Sequence, residues 1–540
     1  MGSSSHSSGS LASNSTSSLE ASLSPIRERP AATFHNWART FTCQAESIFH
    51  PTDEDQVRQI VQLARRSNKC LRAFGAGHSP SDLVCVEEKD WLVNIDALDQ
   101  LIDIDREAQI VTVQAGIRIR DLHPILEKHG LALSSLGSIS DQSLGGAIST
   151  ATHGSSLKFG NLSSFVKSIT LVLADKESSL VTCSPDNEQE LFEASRCALG
   201  LTGIITRISI QCEPAFNLEE EEFCMKTDDF FHSIHDGGSG SIAETAEHLR
   251  AWWHPQAGEV RVSRMQRTSK LSTLCRKPSL HSFAKNWIRD SLLGYHWNQI
   301  ALLVGRFFPN FLTWHARFMY KYCLKTGCVL DTDEKSPVHR QKNEKTDADP
   351  AYPRFTPTVT RVGKSVEIFN YDCGLLQYTY EGVVPIDQAQ ACLMEMQKWL
   401  EHEMHKEGGI RHHFPIEVRF SAADDVMISP TYRMIGCYIG IVQYKPYGID
   451  VPHRALFTKF ESIIYAHGGK PHWAKSYNAG PARLAKMFPR LPEFLRIRER
   501  VDPLKVFCNP YARRHFLGEE SEGVDSGRFK SPKQAMESLL

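Results

Sequence analysis

The sequence predicts an α+β fold of two or three domains, and three observations carry that prediction. At 540 residues, 41% apolar and 23% charged, the chain has the size and makeup to bury more than one core. Helical and hairpin patterns alternate up to Cys212, an order that suits α+β rather than a doubly wound sheet. Beyond Cys212 the texture changes to longer strand-like runs, which marks a second unit. The net charge of −2 supplies no general attraction for nucleic acid. Fourteen cysteines are scattered with no CxxC pair and no zinc spacing. With no secretory signal, they read as reduced thiols in an intracellular protein without a metal.

The elements follow in order. Residues 1–34 begin as "MGSSSHSSGSLASNSTSSLEASLSPIRERP", dominated by serine and lacking an apolar run, so disorder is expected. "HPTDEDQVRQIVQLARRSNK" is a helix with Val57, Ile60, Val61 and Ala64 on one face and a capping box from Thr52 to Asp55. "CLRAFGAG" and "WLVNID" are short strands, and "LIDIDREAQIVTVQAG" is a hairpin turning near Arg106 and Glu107. A helix runs from about Arg118 to His129 and stops at Gly130. "VKSITLVLADKESSLVTCS" is a second hairpin, turning at Asp175 to Glu177. In the second unit "HDGGSGS" is a turn, and "RVGKSVEIFNYD", "IEVRFSAAD" and "MIGCYIGIVQYKP" are strands. "SPVHRQKNEKTDADPAYP", within 336–353, is a surface loop. The domain spans are 35–215, 216–485, a return to the first domain over 486–518, and a loose tail over 519–540.

The chemistry-bearing stretches are rich in glycine. "FGAGHSPSDL" places Phe74, Gly75, Ala76, Gly77, His78 and Ser79 directly after a strand. A dinucleotide fingerprint fails because Pro80 holds the third glycine position, and a P-loop lacks its Gly-Lys-Ser/Thr ending. What remains is a turn whose backbone N–H groups can converge on an anion without a Cβ in the way. "LGSISDQSLGGAISTATHGSS" contributes Gly137, Ser138, Gly145, Gly146, Thr150, His153 and Gly154. "ALGLTGIITRISI" contributes Gly203 and Ile204 at the start of a strand. These segments read equally as buried, tightly packed turns or as a pyrophosphate seat.

In this order the stretches resemble the FAD domain of the vanillyl-alcohol-oxidase flavoprotein superfamily. With "HLRAWWHP", "IFNYDCGLLQYTYEG", "FPIEVRFSAADD", "GKPHWAKSY" and "VDPLKVFCNPYARRHF", the chain from His35 to Leu517 is similar to the aldonolactone oxidases. The ending looks most like the fungal D-arabinono-1,4-lactone oxidases. The resemblance implies a two-part FAD-binding domain of PCMH/VAO type and a cap domain on an antiparallel sheet with helices. It implies bound FAD, attached covalently through His78, and oxidation of D-arabinono-1,4-lactone or a related aldono-1,4-lactone by dioxygen. The products would be D-erythroascorbate or ascorbate and hydrogen peroxide, by hydride transfer from C2 to flavin N5. Oxidase relatives carry glycine at the position of Gly137, where plant dehydrogenase relatives carry alanine. An alditol or sugar oxidase on the same fold, and a catalytically silent flavoprotein, are the alternatives.

The resemblance also marks the polar cluster such a reaction needs. Glu417 and Arg419 alternate with Val418, so on a strand they share a face. An exposed ion pair is the competing reading. Lys475 in "PHWAK" is the candidate for polarising or deprotonating the reacting hydroxyl, or for stabilising reduced flavin. His472 is a candidate hydrogen-bonding partner and Trp473 reads as packing. Asn509 and Tyr511 match family positions near the cofactor, with support of the fold an equal reading. Residues 261–330 hold twelve Lys or Arg against one acid, Asp290, followed by an aromatic run. That pattern suits peripheral contact with an anionic bilayer, or a pair of helices covering the cap. Fungal relatives add the expectation of a mitochondrial membrane.

Overall fold

The computed structural model describes residues 19–28, 32–235, 240–272, 294–321, 359–370, 374–413 and 415–519. The Ser-rich run over 1–18, most of the "HDGGSGS" turn, the basic tract 273–293, the 336–353 loop and the tail beyond 519 lie outside these residues.

Helix α1 (Glu54–Arg66) buries Val57, Ile60, Val61, Leu63 and Ala64, the expected stripe with one addition. Its cap is displaced by one residue from the expected Thr52–Asp55 box. Asp53 accepts from the Gln56 N–H at 2.8 Å, and the Gln56 side chain accepts from the Thr52 N–H at 2.8 Å. A carboxylate next to the positive end of the helix is favoured over a hydroxyl two residues out. The start of the chain departs from the expected disorder over 19–28 and 32–34. Leu23 is buried in the first core, with Leu19 and Ile26 packed against it. These three supply the apolar contacts that the preceding serines lack.

Four strands form the first sheet. β1 (Arg27–Glu28) pairs antiparallel with β4 (Ser47–Phe49), and β4 and β5 (Leu71–Phe74) both run parallel to β6 (Trp91–Asn94). β2 (Ala32–His35) and β3 (Thr42–Ala45) form a separate hairpin. The second sheet is antiparallel, in the order β11 (Leu180–Cys183), β10 (Val166–Val172), β12 (Ile204–Gln211), β8 (Ile110–Gln114), β7 (Leu101–Asp105). Both expected hairpins belong to it. α2 (Ile119–Lys128) ends at Gly130, which takes φ +71°, and β9 (Leu131–Ala132) pairs with β13 (Glu213–Pro214).

The third sheet has eight strands. Its order is β17 (Val359–Lys364), β14 (Asn217–Lys226), β16 (Glu259–Thr268), β15 (His248–His254), β19 (Ile416–Ser421), β20 (Gly436–Tyr444), β18 (Gln377–Pro385), β21 (Lys470–Pro471). Val418, Ile439, Ile441, Tyr380 and Val384 form a second core with two long helices, Ile386–His405 and Arg454–Ala466. The run "RVGKSVEIFNYD", expected as one strand, is β17 followed by a helix over Ser365–Phe369. The Glu367 side chain accepts from the Lys364 N–H at 2.9 Å and so starts the turn, which buries Ile368 and Phe369.

The acidic run of β14 answers the basic run of β16. Lys270 meets Glu219 at 2.6 Å, Arg264 meets Glu221 at 2.6 Å, and Arg261 bonds Glu222. Arg267 takes Glu213 at 2.6 Å and Glu247 at 2.5 Å. Each of these four cations, part of the basic stretch 261–330, has a carboxylate partner. No described helix is long and apolar enough to cross a membrane.

Three sets of bonds join the two halves. Ser156 N–H donates to the Phe420 carbonyl at 2.9 Å, and the Ser155 hydroxyl accepts from the Phe420 N–H at 3.1 Å. Asp424 accepts from Asn161 at 2.7 Å and from Ser429 and Thr431, each at 2.6 Å. At the end, Trp473, Tyr477, Leu484 and Tyr511 lie in the first core, so the chain re-enters it ahead of the expected 486. Asn509 donates to the carbonyls of Leu83 and Cys85, both at 2.9 Å. The Val426 N–H donates to the same carboxylate at 2.9 Å, so Asp424→Ala strips four buried donors of an acceptor, and urea unfolding should show a loss of about 4 kcal/mol.

Candidate functional site

A cavity opens where β5 ends. Phe74, Gly75, Ala76, Gly77, His78 and Ser79 form one wall. Gly145, Gly146 and Thr150, on and just after the short helix Leu144–Ser149, form the second, and Gly203 with Ile205 the third. The three glycine-rich segments of the sequence therefore meet at one place. The walls interlock only because Cβ atoms are missing. A Cβ on Gly75 would stand 2.2 Å from the Ser143 hydroxyl, and one on Gly203 would stand 2.7 Å from the Val172 carbonyl. His78 is half-buried in the wall and stacks on Trp37, with ring centroids 5.2 Å apart.

Other expected residues support the wall from behind. A Cβ on Gly137 would lie 3.0 Å from the Thr152 methyl, and one on Gly154 2.1 Å from the Ser135 hydroxyl. The two segments are thus pressed together beside His153. Ser138 is half-buried, and Ile204 is a core residue of β12. Arg72, Gln142, Ser143, Leu199 and Gly200 line the cavity without having been singled out in the sequence. Arg72 donates to the carbonyls of Leu83 and Leu199, and burial pushes its guanidinium down to about 10. No local signal distinguishes it from any strand arginine. Its small-residue walls and one buried cation fit the flavin dinucleotide that the sequence implied. Phe74 to Ser79, Gly145, Gly146, Thr150 and Gly203 would hold it, and Arg72 would supply positive charge to its phosphates.

Ala474 also lines this cavity, which brings the "PHWAK" segment to its edge. Ser476 donates to the Pro80 carbonyl at 3.2 Å and pins that segment to the His78 turn. Trp473 is fully buried, donates to the Ile428 carbonyl at 2.7 Å and stacks on Phe488, as packing requires. Asn509 and Tyr511 stay behind the wall. Asn509 holds the Leu83–Cys85 turn, and the Tyr511 hydroxyl lies 2.7 Å from that of Tyr477.

Beside Ala474 lies a charged cluster centred on a residue the sequence had not marked. Glu381 of β18 sits opposite Gly440 of β20, and Glu417 of β19 sits opposite the same glycine from the other side. Arg419, two residues along, reaches both carboxylates, Glu381 at 2.6 Å and Glu417 at 3.5 Å. Lys475 Nζ lies 3.5 Å from the second oxygen of Glu381. His153 Nε2 stands 3.5 Å from Glu381 Oε1, and its ring stacks on Tyr438 with centroids 3.5 Å apart. The His472 backbone N–H donates to the Glu381 carbonyl at 3.1 Å, so Arg419, Lys475 and His472 all meet at this residue, and Glu417 joins them through Arg419. The one signal available in the sequence was an acid in the middle of an otherwise apolar and aromatic strand, "YTYEGVV".

The charges are settled by burial and pairing together. Burial would raise the Glu381 carboxyl, but Arg419 and then Lys475 hold it well below the usual carboxylate range. For Arg419 burial acts downward, and Glu417 and Glu381 overcome it, so the guanidinium stays charged. Burial, helped by Arg419, lowers His153, and burial lowers His472 further. The His153 Nδ1 lies 2.9 Å from the Gly154 carbonyl, which assigns the proton to that nitrogen, and the His472 Nδ1 accepts from the Ala474 N–H at 3.1 Å. His153, Glu381 and His472 each offer a ligand atom within 4.8 Å of the others, a spacing that suits a metal. Two cations already face that carboxylate, so its charge is spoken for.

Comparison with known proteins agrees with this geometry. Residues 208–515, more than half of the chain, match the family described as D-arabinono-1,4-lactone oxidase, and residues 45–184 match an FAD binding domain. L-gulonolactone oxidase of Bos taurus is 32% identical, covering 89% of this chain and 98% of its own. A putative D-arabinono-1,4-lactone oxidase of Neurospora crassa is 31% identical, covering 91% and 87%. The D-arabinono-1,4-lactone oxidase of Eremothecium gossypii is 28% identical, covering 88% and 93%. Cholesterol oxidase from Brevibacterium sterolicum superposes with a TM-score of 0.71 at 17% identity, over 91% of this chain and 98% of that one, which speaks to the fold alone. The fold is therefore the expected α+β arrangement of an FAD-binding domain with a cap, and the chain belongs to the D-arabinono-1,4-lactone oxidase family.

Proposed function

We propose that the protein is an FAD-dependent oxidase of aldono-1,4-lactones, with D-arabinono-1,4-lactone as the first substrate to offer. The observation that carries this reading is the shared edge at Ala474, where the cavity adjoins the cluster of Glu381, Glu417, Arg419 and Lys475. Bound FAD supplies the two-electron acceptor that takes hydride from a carbinol carbon and delivers the electrons to dioxygen as hydrogen peroxide. The chain's own groups orient the substrate. Arg419 and Lys475 donate hydrogen bonds to its oxygens and stabilise negative charge as the hydroxyl proton leaves. Glu417, the most exposed member, accepts from a neighbouring hydroxyl. An ammonium ion-paired with Glu381 suits donation to an oxygen better than proton abstraction. His472 steadies the loop that presents Lys475, whose N–H donates to its carbonyl at 3.0 Å.

The formal charges also favour the closed lactone. Two carboxylates face two cations and the imidazoles are neutral, so an uncharged substrate leaves every ion paired. An open-chain aldonate would add an anion with no cation left for it. Purified protein given D-arabinono-1,4-lactone should release peroxide, while arabinonate and the parent polyol at equal concentration should be turned over at least about 100-fold less efficiently. Equal turnover of the polyol would replace this reading with that of a sugar-alcohol oxidase.

Covalent attachment of FAD through His78 is part of the same proposal. It is supported by the place of this imidazole in the cavity wall and by its stacking on Trp37. Acid-precipitated protein should stay yellow, and the pellet of His78→Ala should be white with the colour in the supernatant. Gly137 sits tightly against Thr152, where an added Cβ would lie 3.0 Å from the Thr152 methyl, so packing alone asks for glycine at this position.

Peripheral contact with a membrane, in mitochondria as the fungal likeness implies, now rests on aromatic residues rather than on Arg261 to Lys270. Helices Tyr295–Phe307 and Pro309–Met319 pack on each other and leave Trp297, Phe307, Phe308 and Trp314 exposed. Protein floated with anionic-lipid vesicles should rise with them, and serine at these four positions should leave it at the bottom of the gradient.

A further inference from the structure

Exposure orders the charged cluster from its surface inward. The side chain of Glu417 is 28% exposed, Lys475 20%, Arg419 12%, Glu381 4% and His153 1%. The first three are placed to meet a substrate, and Glu381 stands behind them. We propose that Glu381 is the positioning residue of the lactone oxidation, an inference that rests on the function proposed above.

Glu381 divides its two oxygens between two cations from different parts of the chain. Oε1 takes the Arg419 guanidinium of β19 at 2.6 Å, and Oε2 faces the Lys475 ammonium, beyond β21, at 3.5 Å. The carboxylate thereby fixes the spacing of the two groups that hold the reacting oxygens. Glu417 cannot take over this task, because it lies across Gly440 on the far side of β20 and reaches Arg419 only, at 3.5 Å. The support beneath Glu381 is stiff. β18 is hydrogen-bonded on both edges, to β20 and β21, and the Glu381 carbonyl accepts from the His472 N–H. Without the negative charge, Arg419 keeps only Glu417, Lys475 loses its carboxylate, and the two cations repel each other. Displacement of such groups by about 1 Å is enough to cost two orders of magnitude in rate.

The test compares Glu381→Gln and Glu381→Asp with the wild type in FAD content per chain, melting temperature, and kcat and KM for the lactone the wild type oxidises. Glu381→Gln should keep its FAD and its melting transition, while kcat/KM falls about 100-fold, more through kcat than KM. Glu381→Asp, which restores the charge, should recover about tenfold of that loss. A glutamine variant within about threefold of wild type would overturn the proposal. So would glutamine and aspartate variants that lose FAD and melt early together, which would make Glu381 merely structural. If the wild type oxidises no lactone, the functional reading fails, and Glu381 is judged on a crystal structure of Glu381→Gln. There the Lys475 ammonium should have left position 381, and Arg419 and Lys475 unmoved would sink the idea.

Discussion

One buried ion pair, Glu381 with Arg419 at 2.6 Å, sets the terms for everything around it. Neither charge would be stable alone at that depth, since desolvation disfavours the ionised form of both. Together, with Lys475 and Glu417 completing the balance, they put a strongly polar patch on an apolar sheet. The sheet makes this feasible by alternation. Glu417 and Arg419 lie on one face of β19 while Ile416, Val418 and Phe420 pack in the second core on the other. The same alternation on β20 sets Tyr438 and Gly440 against the cluster and Ile439 and Ile441 in the core. Polar chemistry and apolar packing share the strands at no cost to each other.

The cofactor side follows the opposite logic. Its walls are close-packed backbone with few side chains, and the fit depends on what Gly75 and Gly203 omit. A polar patch held by charge is therefore set beside a cavity shaped by missing atoms. Ser476, bonded to Pro80, keeps the two in register.

Local patterns carried much of this in the sequence. The stripe of α1, the two hairpins and the stop at Gly130 depend on neighbours within a few residues, and each appears where its period places it. The glycine segments were legible as segments, and their meeting at one cavity came from the family likeness rather than from spacing. Long-range pairing is what escaped. Glu381 has no local signature, because its partners lie on strands and loops far along the chain. The partners of Arg261, Arg264 and Lys270 were equally hidden, because composition does not say which strand lies alongside, and β14 supplies their acids. The helix at Ser365–Phe369 was missed because its start depends on one side-chain bond from Glu367.

The bonds from Asn509 to Leu83 and Cys85, with that from Leu71 N–H to the Val506 carbonyl at 2.7 Å, bind the near and far portions of the chain at the flavin turn. During synthesis the early segments emerge long before their late partners exist. The turn bearing His78 is then unbraced on that side until the segment from Val506 to Asn509 has emerged and folded back onto it. A chain cut short of Asn509 would lack that brace.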